Sequence, residues 1–262
     1  MVSTEGLFPV TGHGWRIGLN NMLRKEFKRR WDIRNILIQG AVWLFLLNFV
    51  LALMLESEAN RGSIVLGVTT FTFLAGILAP IGMVFSAHGA IINEVKAGTA
   101  AWILSKPTSR TAFVISKLVI IGAGFLAIVI FLQGVIAFAQ ISIFQGIMLP
   151  VGSYLGALVL LGLNVVFYLA LTVMLSTMFT KRVPIIGIPV ALIIIQAFTL
   201  NLLSEVAEWL PYIFPGTLND LSRVMILESP MPSEWLLPVF TTLALSALFV
   251  YLAVWNFQRK EF

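Results

Sequence analysis

The stretch VGSYLGALVLLGLNVVFYLALTVMLSTMF, residues 151–179, decides the fold class because it contains no charged side chain. A helix of about 20 apolar residues crosses the hydrocarbon core of a bilayer, and this stretch is longer. The whole chain agrees with it, since 59% of the residues are hydrophobic and only 11% are charged. Soluble domains carry about 25% charged residues. The sequence therefore predicts an all-α integral membrane protein.

Six uncharged runs of this kind follow one another along the chain, and each is long enough to cross a membrane. They are 36–55, 63–87, 118–140, 151–179, 183–204 and 236–258. Proline and glycine near the start of the fifth run and within the second predict bends there. We expect six transmembrane helices.

Basic residues predict the orientation of these helices. All 17 Lys and Arg lie outside the six runs, and alternate compartments hold 15 and two of them. The positive-inside rule places the richer side in the cytoplasm, here at the plasma membrane of a prokaryote, with anionic lipid rather than nucleic acid as the partner of the excess charge. We therefore expect a cytoplasmic N-terminus (1–34), one six-span domain (35–258) and a cytoplasmic C-terminal tail (259–262).

The segment before the first run predicts an amphipathic helix at the membrane surface. Aromatic and aliphatic residues recur in it at helical spacing, and basic residues fill most positions between them. Such a helix turns its aromatic residues toward lipid and its cations toward headgroups. The predicted interfacial anchor consists of Trp15, Arg24, Lys25, Phe27, Arg30 and Trp31.

The loop between the second and third runs predicts a docking surface for a cytoplasmic partner. A short helix is expected over 90–104, Pro107 prevents its continuation, and Ser109 can cap the next helix. The helix would expose Glu94 and Lys96, and Gly98 would permit close approach by a partner. Trp102 is of a type enriched at interfaces, although it could instead anchor the loop among headgroups. The predicted docking residues are Glu94, Lys96, Gly98, Thr99 and Trp102.

The segment between the fifth and sixth runs predicts short helices broken by Pro211 and Pro215. One would carry an apolar face at the outer edge of the membrane, and the other would cover 219–226. This segment is either an outer gate or a lipid-facing loop. The gate candidates are Glu205, Trp209 and Phe214.

Chemistry of several kinds is missing from the sequence. The chain has no cysteine and two histidines that are far apart. It lacks a phosphate-binding P-loop, a His-Glu-x-x-His pattern and a Gly-x-Ser-x-Gly pattern. All acidic residues lie outside the runs, which argues against ion coupling. We expect no catalytic residue, metal or cofactor in this chain. Amides within the runs, such as Asn164 and Gln196, would join helices or hold a ligand.

Short motifs before the first run and after the second resemble those of the membrane subunit of a type-2 ABC exporter. The resemblance covers nearly the whole chain. The motifs are Leu23, Arg24, Lys25, Glu26 and Phe27 before the first run, and Glu94, Gly98, Thr99, Leu104, Pro107, Arg110 and Lys117 in the loop. Ser116 stands where that family usually has glycine, and Glu94 is a single acidic residue where several members have two or three. The chain end from Gln258 to Phe262 also fits.

The resemblance implies six helices per subunit and two subunits per transporter. It also implies a separate cytoplasmic ATPase that binds ATP and Mg²⁺ and docks on the loop between the second and third spans. We therefore expect an exporter permease that works with this ATPase and with a second, identical or homologous permease. A secondary carrier or channel, an intramembrane enzyme and a membrane scaffold are the alternatives.

Overall fold

A computed structural model of the protein describes residues 14–56, 63–207 and 209–260, except for the side chains of 104 and 199–206. The described chain is helical throughout and contains no strand. Short 3₁₀ helices cover Gly14–Arg16 and Leu210–Ile213. The longer elements are α1 (Leu19–Arg30), α2 (Ile33–Glu56), α3 (Ile64–Ala87), α4 (Ile92–Lys96), α5 (Thr99–Leu104), α6 (Arg110–Gln145), α7 (Val151–Met178), α8 (Arg182–Val206), α9 (Thr217–Ile226) and α10 (Leu236–Gln258).

Five helical segments are long and apolar enough to cross a membrane, as in a multi-pass membrane protein. They are α2, Ile64–Lys96 (which contains α3 and α4), α6, α7 and α10. The fifth predicted run forms α8, whose described apolar part ends at Phe198. Helix α7 lies at the centre, with 83% of its most apolar window buried, and packs against α10, α9 and α3. The residue pattern of run 151–179 explains this, because it is apolar on every side.

Helices α2 and α6 each change to π-helical turns midway, at Leu44–Phe49 and Leu126–Leu132. They are joined there by two buried amides. Asn48 Nδ2 donates to Gln133 Oε1 at 2.8 Å, and Gln133 Nε2 donates to the carbonyl of Gly40 at 3.3 Å. These two amides therefore serve interhelical hydrogen bonding, which was one of the two expectations for polar residues within the runs.

Helix α9 does not lie on the surface between α8 and α10 but penetrates between the long helices. Asn219 Nδ2 donates to the carbonyl of Gly76 at 3.3 Å, and Gly76 is 12 residues into α3, about 18 Å along a helix. The side chains of Asp220 and Arg223 on the same helix remain 62% and 41% exposed. The expectation that ionisable groups stay outside membrane depth stays a prediction.

Candidate functional site

Charged side chains from three elements meet in the first turns of α6. The Lys117 ammonium lies 3.0 Å from Glu26 Oε1 and 2.8 Å from Glu94 Oε1. Arg29 donates to Glu94 at 2.6 Å and to Glu26 at 2.7 Å, and Arg30 Nε lies 3.6 Å from Glu26 Oε2. We call these five residues the charged cluster. It joins α1, α4 and α6.

The charged cluster is largely buried, with Glu26 and Lys117 fully enclosed and Glu94 only 6% exposed. Charges that leave water lose hydration energy, and only close opposite charges offset the loss. Here each carboxylate contacts at least two cations, although Glu94 Oε2 has no hydrogen-bond partner among the described residues. Burial lowers the pKa of Arg30 while Glu26 opposes that shift. Since these ion pairs join side chains of three elements, the cluster holds α1 and α4 on α6.

A second set of contacts attaches the start of α1 to the chain before α6. The backbone N–H of Ser109 donates to the carbonyl of Ile17 at 3.0 Å, and its hydroxyl donates to the carbonyl of Trp15. Ser109 Oγ also accepts from the N–H of Ala112, which confirms the predicted N-cap of α6. Gly18 has a φ of +77°, and a Cβ there would lie 2.8 Å from a Thr108 hydroxyl. Only glycine fits this approach.

Most of the predicted interfacial anchor is exposed. Trp15 is 49% and Phe27 is 54% exposed, and Arg24 and Lys25 are exposed beside them. These four residues remain available to lipid.

Trp31 and Arg30 depart from the expected anchor because both contact protein. The Trp31 indole N–H donates to the carbonyl of Ile120 at 2.9 Å, and a Cβ on Gly124 would lie 2.0 Å from its ring. Arg30 donates to the carbonyl of Ser86 at 3.2 Å. The expectation that Trp31 faces lipid is wrong, because the glycine of α6 opens a space for its ring.

The predicted docking loop forms two short helices rather than one. Helix α4 ends at Lys96 and α5 begins at Thr99, and between them Gly98 has a φ of +69°. This left-handed conformation, which favours glycine, ends one helix and redirects the next. Thr99 Oγ1 donates to the carbonyl of Glu94 at 3.1 Å and fixes the turn.

Four of the five predicted docking residues lie on one exposed stretch. Lys96, Gly98 and Thr99 are exposed, and Trp102 is 61% exposed with the Lys106 ammonium 3.8 Å from the centre of its ring. We call Lys96, Gly98, Thr99 and Trp102 the loop surface. The expected exposure of Glu94 is wrong, because its carboxylate turns inward to Lys117 and Arg29.

The same end of the bundle connects the remaining helices to this loop. Arg110 donates to the carbonyls of Gln258 and Lys260 and thereby caps the last helix, α10. Arg182, at the start of α8, donates to Asn93 Oδ1 of α4 at 3.0 Å. A displacement of the loop would therefore be transmitted to α8 and α10 as well as to α3 and α6.

The structure describes the side chains of two of the three predicted gate residues. Helix α8 ends at Val206, and the 3₁₀ helix Leu210–Ile213 follows it. Trp209 is 55% exposed and Phe214 is half-buried, while the side chain of Glu205 lies outside the described residues. The outer gate stays a prediction.

Sequence reasoning missed the role of Glu26 and Lys117. Both were noted only as motif positions, because 91 residues separate the two partners. One signal was available: Glu26 is the single acid in α1 and stands among Lys and Arg residues. A buried basic residue near the start of an apolar run needs such an acid as its partner.

The model of one protein family, described as "Protein of unknown function (DUF2705)", matches residues 29–262. The chain belongs to this family. The matched range includes the loop surface and every member of the charged cluster except Glu26. No curated protein matches the chain.

Proposed function

We propose that this member of the DUF2705 family is the permease subunit of an ATP-driven ABC exporter. A separate cytoplasmic ATPase would dock on the loop between the second and third spans. One observation carries the proposal: a single loop is fixed on its inner side by the charged cluster and exposed on its outer side at the loop surface. Force on the loop surface would reach α3 and α6 together.

The ATPase would supply the energy, because the chain lacks a phosphate-binding loop of its own. ATP and Mg²⁺ would be bound by that partner, and this chain would contribute no catalytic residue or cofactor. A second permease copy, identical or homologous, would complete the transporter. Transport would follow when closure of two ATPase subunits moves α3 and α6 and opens a path between the permeases.

The proposal includes six spans with both chain ends in the cytoplasm of a prokaryotic cell. Helix α8 supports the sixth span, because its 25 residues correspond to about 37 Å and the hydrocarbon core is about 30 Å thick. The 15-to-2 division of basic residues supports the orientation.

Single cysteines test this orientation directly, because the natural chain has none. In intact cells, an impermeant thiol reagent should label Glu234→Cys and should label Lys106→Cys only after permeabilisation. Labelling of position 106 in intact cells would contradict the proposed orientation.

Co-expression with an ABC-type ATPase encoded beside this chain tests the function. The two proteins should co-purify in detergent, and the permease should change the ATPase activity of the partner in liposomes. Failure to co-purify, together with unchanged ATPase activity, would contradict the proposal.

A secondary carrier is the second candidate, and one observation favours it. Asp220 and Arg223 line an open space between α3, α7, α8 and α9, and ion-coupled carriers place ionisable groups along their pathway. In liposomes that hold the permease alone, a carrier would pass protons down a pH gradient, and Asp220→Asn would abolish the flux. An exporter permease without its ATPase would show no such flux.

A further inference from the structure

A cavity of about 190 Å³ lies between α3, α7, α8 and the first turn of α9. Hydroxyl and amide side chains form one part of its lining, and apolar side chains such as Phe73 and Ile193 form the other. Its position follows from the entry of α9, since Asn219 contacts both Gly76 of α3 and Asn164 of α7. We call this space the amide cavity.

Two buried amides in its lining have unfinished hydrogen bonding. Asn164 is 1% and Gln196 is 4% exposed. Asn164 Nδ2 donates to the carbonyl of Gly76 at 3.2 Å and to Asn219 Oδ1 at 3.0 Å, which fixes the orientation of the amide. Its own oxygen, Oδ1, has no partner among the described residues.

Gln196 shows the complementary pattern. Its Oε1 accepts from the N–H of Gly216 at 3.0 Å and from the Tyr168 hydroxyl at 3.3 Å. Its Nε2 then has no partner in the described part of the chain. The residues that line the cavity thus include one acceptor and one donor without a partner among the described residues, on neighbouring helices. Buried polar groups are hydrogen-bonded in most proteins, so two unpaired atoms in one lining need an explanation.

The size and charge of the amide cavity limit what could complete these bonds. A cavity of 150 Å³ can hold benzene, so this one fits a molecule of about that size or slightly larger. Asp220 and Arg223 also line it, but their charged groups pair with each other at 3.7 Å. The lining therefore offers no net charge to a ligand, and its apolar part suits a hydrocarbon body.

We propose that the amide cavity binds a small neutral molecule that carries a primary amide or hydroxyl group on an apolar body. The ligand would donate to Asn164 Oδ1 and accept from Gln196 Nε2, while its apolar part contacts Phe73 and Ile193. The site does not depend on the ATPase, so this inference goes beyond the proposed function and can fail independently of it.

Protection of a cysteine tests the site with benzamide as the probe. Ala197 lines the cavity and is exposed, so Ala197→Cys offers a single thiol to a small methanethiosulfonate reagent. Benzamide should slow its modification several-fold in the purified protein. Toluene lacks the polar group and benzoate is charged, so neither should slow it. Absence of protection by benzamide, or equal protection by toluene, would overturn the proposal.

Two amide substitutions locate the effect. In the Ala197→Cys background, both Gln196→Met and Asn164→Leu should abolish protection, so a folding failure of one variant leaves the other. Gln133→Met removes a buried amide that contacts Asn48 instead and should keep protection. A cysteine at the exposed Ile143 should react at the same rate with and without benzamide. Protection that survives Gln196→Met or Asn164→Leu in a folded protein would contradict this site.

Discussion

The charged cluster and the amide cavity both enclose polar groups, but they differ in the charge of these groups and in the space beside them. In the cluster, every charge has an opposite charge within 3.6 Å. In the cavity, Asn164 and Gln196 each retain one buried atom without a partner among the described residues. Close opposite charges make the cluster a structural joint between elements, whereas uncharged amides beside an open space make the cavity a place for a ligand. The two regions should therefore respond differently to substitution.

The largest effect is expected at the centre of the charged cluster. Lys117→Met leaves Glu26 and Glu94 buried with fewer counter-charges, so it should lower the free energy of unfolding by about 3–5 kcal/mol. Thermal unfolding in detergent, followed by tryptophan fluorescence, measures this loss. Lys96→Met is the control, because Lys96 is exposed, and it should change stability by less than about 0.5 kcal/mol.

Neutral carboxyl partners should reverse much of that loss. When Glu26→Gln and Glu94→Gln are added to Lys117→Met, no carboxylate remains buried and uncompensated, and stability should recover in large part. A triple variant that is no more stable than Lys117→Met would show that packing, rather than charge, is the contribution of this lysine.

The sequence predicted the long helices closely but not the two sites. Run 236–258 became α10 with the same bounds, and run 151–179 differs from α7 by one residue. Hydropathy suffices here because length and apolar composition alone select a membrane helix. The third uncharged run starts at Leu118, and α6 starts earlier, at Arg110, directly after the predicted cap Ser109. The burial of Lys117 depends on Glu26, which no local pattern connects to it.

The position of α9 between the long helices could not be predicted from the sequence for a related reason. The segment is short and carries Asp220 and Arg223, so hydropathy places it outside the membrane. Its position between the long helices depends on packing of Asn219 against Gly76 and Asn164, and these three residues come from distant parts of the chain. Contacts of this kind depend on the tertiary structure and are not visible in a local stretch of sequence. The amides of the cavity were visible as candidates within the runs, but their free atoms were not.

A smaller effect is expected at the amide cavity. Gln196→Met removes the two hydrogen bonds that its side-chain oxygen accepts, which should cost about 1–2 kcal/mol of unfolding free energy. The same thermal measurement applies. A loss as large as that of Lys117→Met would remove the distinction between the two regions, because the amide would then be as essential to the fold as the buried lysine.

The smallest effect on stability is expected at the loop surface. Trp102 is 61% exposed, and Trp102→Ala should change the free energy of unfolding by less than about 0.5 kcal/mol. Trp209, at 55% exposed, is a matched tryptophan on the proposed outer side, and Trp209→Ala should behave alike. Unfolding curves that overlay that of the wild type would show that neither side chain contributes to the stability of the fold. A clear loss for Trp102→Ala would assign it to internal packing.

The affinity of the ABC-type ATPase for these same proteins tests whether the ATPase docks at the loop surface. The ATPase is titrated onto wild type, Trp102→Ala and Trp209→Ala permeases in nanodiscs. Loss of an aromatic anchor often costs roughly 2 kcal/mol, or about 30-fold in affinity. The account predicts that Trp102→Ala weakens ATPase binding by about that factor while Trp209→Ala leaves it unchanged. Equal binding by all three permeases, or no binding to any, would contradict docking at the loop surface.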